Sequence, residues 1–327
     1  MSAPLLAVRD LAIEFRTEQG VVRAVDGVSF DVFPNETVGL VGESGCGKTV
    51  TGLALLGLVP SPPGRVAAGS IRFEGHELAG MPEQRLRALR GREIAMVFQE
   101  PMTALNPVFT VGGQLADVLR RCKGLTRRQA RVAAIELLAR VGIPAPERRV
   151  DEYPHQLSGG MRQRVVIAMA LSCDPKLIVA DEPTTALDVT TQAQVLEQMM
   201  RLQQEFRMAL LLITHDLGVI AETCDRAMVM YCGKVVEQAP IGELFARPRH
   251  PYTAGLLASI PAAAADERRE LPVIPGMVPD LLDLPAGCRF ADRCSRREAR
   301  CDAGQPPLAP AGDAARVACF NPMETAR

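Results

Sequence analysis

Residues 42–49 read Gly-Glu-Ser-Gly-Cys-Gly-Lys-Thr, which fills the pattern G-x-x-x-x-G-K-[ST] at every required position. The short apolar run at 37–41 leads straight into it, and residues 49–58 behind it have helical composition. This strand–loop–helix order commits the chain to an α/β fold. Gly42, Gly45 and Gly47 let successive backbone N–H groups turn inward, making a nest for phosphate oxygens at a helix N-terminus. Lys48 adds a point charge for the outer phosphates, and the Thr49 hydroxyl is placed to ligate Mg²⁺. Cys46, inside the loop, reads as a tolerated small residue that alkylation would reach if it were exposed.

Further chemistry lies far downstream. Residues 157–164, Leu-Ser-Gly-Gly-Met-Arg-Gln-Arg, place a glycine pair before cationic side chains. Residues 177–182, Leu-Ile-Val-Ala-Asp-Glu, form an apolar strand that ends in two carboxylates. Asp181 is placed to hold Mg²⁺, directly or through water, and Glu182 to polarise an attacking water as general base. Pro-Thr-Thr-Ala-Leu-Asp follows at 183–188, and His215 ends the next apolar run.

In order and spacing, the motifs across 15–216 resemble those of the ATP-binding cassette ATPases. The resemblance implies a P-loop cassette: an antiparallel β subdomain, a RecA-like core and a helical insertion. Two copies would clamp ATP between the Lys48 loop of one and Ser158, Gly159 and Gly160 of the other. His215 matches the switch histidine that contacts the terminal phosphate. Gln99 matches the glutamine loop, which senses the γ-phosphate and Mg²⁺ and faces the membrane partner. Phe15 matches the aromatic that stacks on adenine, although a Phe there suits a strand core equally well. Met161 stands where the family most often has glutamine, with Ser158, Gly159 and Gly160 intact. The implied catalytic set is Glu182, His215 and Gln99. The implied nucleotide-binding set is Phe15, Gly42, Glu43, Ser44, Gly45, Cys46, Gly47, Lys48, Thr49, Gln99, Ser158, Gly159, Gly160, Asp181 and Asp188. Thr49, Gln99 and Asp181 would serve Mg²⁺.

Patterning organises the rest. Runs at 6–15 and 21–33 alternate well enough for an antiparallel pair, with Glu18, Gln19 and Gly20 in the turn. Residues 60–69 read as a Pro/Gly linker, 70–74 as a strand and 83–90 as a basic helix. A helical region spans about 103–170, with amphipathic spacing over 127–141. Strands are expected at 94–98, 177–180 and 210–214, and a final hairpin over 226–238 with Gly233 in its turn. A cassette domain over 1–240 and a C-terminal extension over 241–327 follow from the change of texture after Pro240.

The formal net charge of −1 gives no basic field for nucleic acid. No stretch approaches the roughly 18 uninterrupted apolar residues of a spanning helix. The start shows no cationic region followed by an apolar one, so a cytosolic chain is expected, with any membrane role through a partner. In a reducing compartment disulfides are disfavoured. Cys46, Cys122, Cys173, Cys224 and Cys232 are scattered, whereas Cys288, Cys294, Cys301 and Cys319 cluster near the end, enough for a closed metal site. Their spacing matches neither a short zinc knuckle nor the bacterial ferredoxin run and names no metal. Arg289, Arg293, Arg296, Arg297 and Arg300 crowd them and could offset thiolate charge.

Local strings narrow the resemblance to the oligopeptide/dipeptide importer branch, with nickel importers as close relatives. They are 99–107, 153–164, His250-Pro-Tyr-Thr, 275–279 and 287–290. This implies a peripheral subunit on the cytoplasmic face of the inner membrane. Its partners would be a second, similar but different ATPase subunit, two integral-membrane permeases and an extracytoplasmic solute-binding protein. Some members of the branch carry a 4Fe-4S cluster on such tail cysteines, zinc being the alternative. The expected function is ATP hydrolysis coupled to import of di- or oligopeptides. Import of nickel or another solute is the alternative, and a soluble non-transport cassette fits less well for want of tandem cassettes or heptads.

Overall fold

The computed structural model describes residues 3–100, 104–185, 187–260 and 272–323. Pro101, Met102, Thr103 (the expected start of the helical region) and Ala186 of the 183–188 string lie outside these. Two units are formed, one from 1–32, 37–80 and 213–327, the other from 33–36 and 81–212.

In the first unit the expected antiparallel pair is present. Strands Leu6–Thr17 and Gly20–Val32 pair from Leu6 opposite Val32 to Thr17 opposite Gly20, with bulges between Val8 and Glu14. Leu6, Val8, Ile13, Val25, Val28 and Val32 lie inside, the phase of the alternation shifting at those bulges. The linker expected over 60–69 is corrected: a strand already runs from Gly64 to Phe73. Its mostly exposed residues include a run of Ala, Gly and Ser with weak strand preference, but Leu6–Thr17 supplies a partner, with bulges near Arg9–Ile13, from Gly64 opposite Phe15 to Phe73 opposite Leu6. The charges agree with this register, because Glu14 accepts both Arg23 and Arg65 at 2.9 Å from its two neighbouring strands. His76–Glu77 completes the four-stranded sheet.

A second set of strands carries the loop. Thr37–Val41, buried throughout, lies parallel to Arg226–Tyr231, with Val38 opposite Arg226 and Val41 opposite Val229. Arg226–Tyr231 turns through Gly233 into Lys234–Pro240, the expected hairpin. Beyond it the extension joins the sheet: Arg316–Val317 pairs with Lys234–Pro240, and Ala309–Pro310 pairs with Arg316–Val317.

The second unit holds strands in the order Ala209–Thr214, Leu177–Asp181, Ile94–Val97, the last two parallel. Helices Val111–Lys123, Arg127–Arg140, Gly159–Leu171 and Val189–Phe206 make up most of the rest. The amphipathic spacing is realised in Arg127–Arg140, which buries Ala130, Ala134, Leu137 and Leu138 and opens on a Thr126/Gln129 capping box. No helix among the described residues is long and apolar enough to cross a membrane.

Cys122 and Cys173, expected as separate thiols, form a disulfide with Cα atoms 5.8 Å apart. Cys122 lies in the last turn of Val111–Lys123, and Cys173 follows the end of Gly159–Leu171. Their meeting is set by helix packing across 51 residues of sequence. Thiol titration of the unfolded chain should count seven groups before reduction and all nine cysteines after it. Nine before reduction would remove the cross-link.

Candidate functional site: a phosphate loop and a carboxylate strand end

The loop is shaped by two backbone carbonyls of its own unit. A Cβ on Gly42 would lie 2.1 Å from the Met230 oxygen, and one on Gly47 would lie 2.3 Å from the Ala24 oxygen. Gly47 also has φ +102, a backbone that side-chain-bearing residues rarely adopt. Lys48, 5% exposed, curls back to donate to the carbonyls of Gly42 at 2.7 Å and Glu43 at 3.0 Å. Ser44, Gly45 and Thr49 are exposed along the rim. Cys46 is buried and burial pushes its thiol up, so the condition for alkylation is not met. Phe15 is half-buried, its ring edge against Gly64, where a Cβ would come within 2.7 Å. His215 follows strand Ala209–Thr214 and is exposed, and Asp216 beside it caps helix Leu217–Thr223.

The other expected residues lie in the second unit. Asp181 ends the buried strand Leu177–Asp181 and is 3% exposed. Glu182 has φ +46, a strained backbone for a side-chain-bearing residue. Its Oε2 accepts from Gln99 Nε2 at 3.1 Å and from Thr185 Oγ1 at 2.9 Å. The fold thus joins two of the expected catalytic residues across 83 positions and fixes a carboxylate beside an amide. Such a pair can orient water and take its proton. Ser158 caps helix Gly159–Leu171 by accepting from Met161 N at 3.3 Å. Asp188 caps Val189–Phe206, accepting from Thr191 N at 2.9 Å and Thr191 Oγ1 at 2.7 Å. These bonds, the backbone one foremost, hold its carboxyl below the usual range.

The extension supplies residues that sequence reasoning missed. Glu43 of the loop accepts a two-armed bond from Arg293, at 2.7 and 3.0 Å, and its N–H donates to the Tyr252 hydroxyl at 2.9 Å. Tyr231, Tyr252, His250 and Phe290 pack as one aromatic group with centroids 4.7 to 5.6 Å apart. Only the string His250-Pro-Tyr-Thr had hinted at it, and as a marker of kinship rather than of contact.

The four tail cysteines expected to hold a metal are Cys288, Cys294, Cys301 and Cys319. Burial, first of all, raises Cys288, Cys294 and Cys319, the last to about 11, and neighbouring cysteines add to it. The thiols therefore share one neighbourhood. Among the described residues no three His, Cys, Asp or Glu side chains are arranged to hold a metal ion. The neighbouring arginines have partners of their own. Arg289 pairs with Asp26, Arg293 with Glu43, Arg297 with Asp292 and Asp302, and Arg300 with Glu298. Arg296 holds Asn321.

His250 is wholly buried, its Nδ1 accepting from Tyr252 N at 3.0 Å, and burial lowers it to about 3 from an ordinary 6.5. The unfolded chain therefore takes up a proton below pH 6.5 that the folded chain refuses. Stability from this residue is complete above that pH and declines by about 1.4 kcal/mol per pH unit towards the folded value. Glu237, raised by burial, opposes part of the slope. Urea unfolding between pH 7 and 4 should show His250→Asn losing less stability over that range than the parent; equal losses would contradict a neutral His250.

Comparison with known proteins agrees with this geometry. Residues 25–185 match the family described as ABC transporter, and 236–301 match the oligopeptide/dipeptide transporter C-terminal region. A protein of Brucella abortus (strain 2308), named “Putative peptide import ATP-binding protein”, is 53% identical over 311 residues, covering 95% of this chain and 93% of its own. A similarly named Brucella ovis protein is 50% identical over 333 residues, covering 99% and 98%. Among solved structures, the ATP-binding cassette MJ0796, as a post-hydrolysis dimer bound to ADP and phosphate, superposes with TM-score 0.65 at 25% identity. It covers 72% of this chain and 98% of its own. CbiO1 of Clostridium perfringens, part of an ABC transporter complex, gives TM-score 0.62 at 27% identity, covering 75% and 92%. With the loop, the carboxylate strand end and the capped Ser-Gly-Gly helix in one chain, and with relatives this similar over nearly its whole length, the chain belongs to the ABC transporter ATPase family and carries the C-terminal region of its oligopeptide/dipeptide branch.

Proposed function

We propose that this chain is the ATP-hydrolysing subunit of a membrane importer and energises uptake of di- and oligopeptides through partner permeases. The match of 236–301 to the oligopeptide/dipeptide C-terminal region carries the choice of substrate. Residues 1–240 serve as the cassette and 241–327 as an appended extension.

Within the cassette, the loop N–H groups and Lys48 bind the phosphates, and Phe15 takes the adenine. Mg²⁺ supplies charge neutralisation for phosphoryl transfer. Thr49, Asp181 and Gln99 would serve it. Glu182, steadied by Gln99 and Thr185, draws a proton from the attacking water, and His215 contacts the terminal phosphate. The Ser158 helix, with Asp188 nearby in sequence, serves the nucleotide of a second, similar subunit. A ligand shared across such an interface favours the closed pair alone, which couples binding to movement of the permeases.

Phe98, Val108, Phe109 and Tyr153 of the second unit are exposed, and Tyr153 lines an open cavity with Pro107, Arg148 and His155. Exposed apolar groups of this kind support a docking surface for the permeases. An extracytoplasmic binding protein completes the importer, and the chain sits at the cytoplasmic face of the inner membrane. Glu182→Gln should keep ATP binding and lower hydrolysis by about 10²–10⁴-fold. Hydrolysis at the parent rate would remove Glu182 as base. Deletion of the subunit should abolish dipeptide and oligopeptide uptake while sparing nickel uptake, and the reverse would reassign the cargo.

A 4Fe-4S cluster on Cys288, Cys294, Cys301 and Cys319, with zinc as its alternative, is supported by their number and shared neighbourhood. Loading would have to draw the thiols together and deprotonate them. Anaerobically purified protein should carry about four irons and four sulfides per chain. About one zinc would make the tail a structural clip, and no metal would leave the four as packed thiols.

A further inference from the structure

Glu43 occupies a variable position of the loop motif, yet each of its polar groups is held. The carbonyl accepts from Lys48 at 3.0 Å, the N–H donates to Tyr252 at 2.9 Å, and the carboxylate takes the Arg293 fork at 2.7 and 3.0 Å. Two of the three partners come from the extension. Arg293 is itself locked. Its side chain is 5% exposed, its Nε donates to the Pro275 carbonyl at 3.0 Å, and its guanidinium lies 5.7 and 5.9 Å from the Tyr231 and Phe290 ring centres. A planar, charge-assisted fork on a buried stem is the strongest common way to fix a carboxylate.

Electrostatics gives the fork a purpose. A carboxylate beside a phosphate nest repels the anion that the nest is built to bind. Glu43 precedes the exposed Ser44–Gly45 rim, where that repulsion would act, and Arg293 neutralises it from the side. Arg289 secures the same strip of the extension by bonding Asp26 and the Cys232 carbonyl, while the next residue, Gly233, donates to Cys46 O at 2.8 Å.

We propose that Arg293 is a positioning residue for the phosphate-binding loop, neutralising and orienting Glu43 so that the loop accepts a nucleoside triphosphate. This rests on the ATP-binding reading above. The test is titration of the full-length chain with a fluorescent N-methylanthraniloyl ATP and Mg²⁺, reading Kd and stoichiometry separately. Arg293→Ala should weaken binding about tenfold with stoichiometry unchanged, and Arg293→Lys, which keeps the charge without the fork, about threefold. Adding Glu43→Gln to Arg293→Ala should restore much of the affinity, because the uncompensated charge is gone. Parental affinity in Arg293→Ala, or a loss of stoichiometry at constant Kd, overturns the inference and leaves a merely structural contact. Should Arg293→Ala not fold, Arg293→Lys decides alone, an unchanged Kd counting against. A parent chain that binds no nucleotide removes the ATP reading and this inference with it.

Discussion

Two backbone oxygens, those of Met230 and Ala24, lie where side chains on Gly42 and Gly47 would have to go. The curl of the loop depends on that approach. Thr37–Val41 delivers the chain in parallel register with Arg226–Tyr231, which brings the Met230 carbonyl up to the loop. The Ala24 carbonyl comes from the antiparallel β pair. Lys48 can then fold inward and satisfy carbonyls at the start of the same loop. Charge and donors follow from a steric fact settled by glycine.

The second unit solves a different problem, that of holding a carboxylate ready. Glu182 follows a buried strand and has a costly positive φ, which puts its head within reach of Gln99 and Thr185. Ser158 and Asp188 each open a helix as caps, so the groups assigned to nucleotide chemistry also close hydrogen-bond accounts of the fold itself. Substituting either one disturbs a helix end as well as a site.

What could be read from the sequence follows from how local the physics is. The loop, the Asp181–Glu182 strand end and the first antiparallel pair were legible because one short segment carries each signal. Strand Gly64–Phe73 was not, since its stability comes from Leu6–Thr17 and not from its own residues. The Cys122–Cys173 bond and the Arg293–Glu43 fork were hidden for the same reason, their partners being 51 and 250 residues apart. The tail arginines that crowd the cysteines in sequence also hold acids that the local string does not show, Asp26 for Arg289 and Glu43 for Arg293.

The extension does more than follow the cassette, because its strand Arg316–Val317 is laid onto Lys234–Pro240 and its Arg293 reaches back to Glu43. On the ribosome, residue 43 emerges 250 residues before the group that neutralises it. At about 5–20 residues per second that interval is roughly 10–50 s. During this time the nascent loop exists with its carboxylate unpaired. The loop gains this partner only after residue 293 is made, so a chain stalled or truncated before it holds the motif without that electrostatic setting. Synthesis of the extension thereby becomes a condition for neutralising the loop carboxylate.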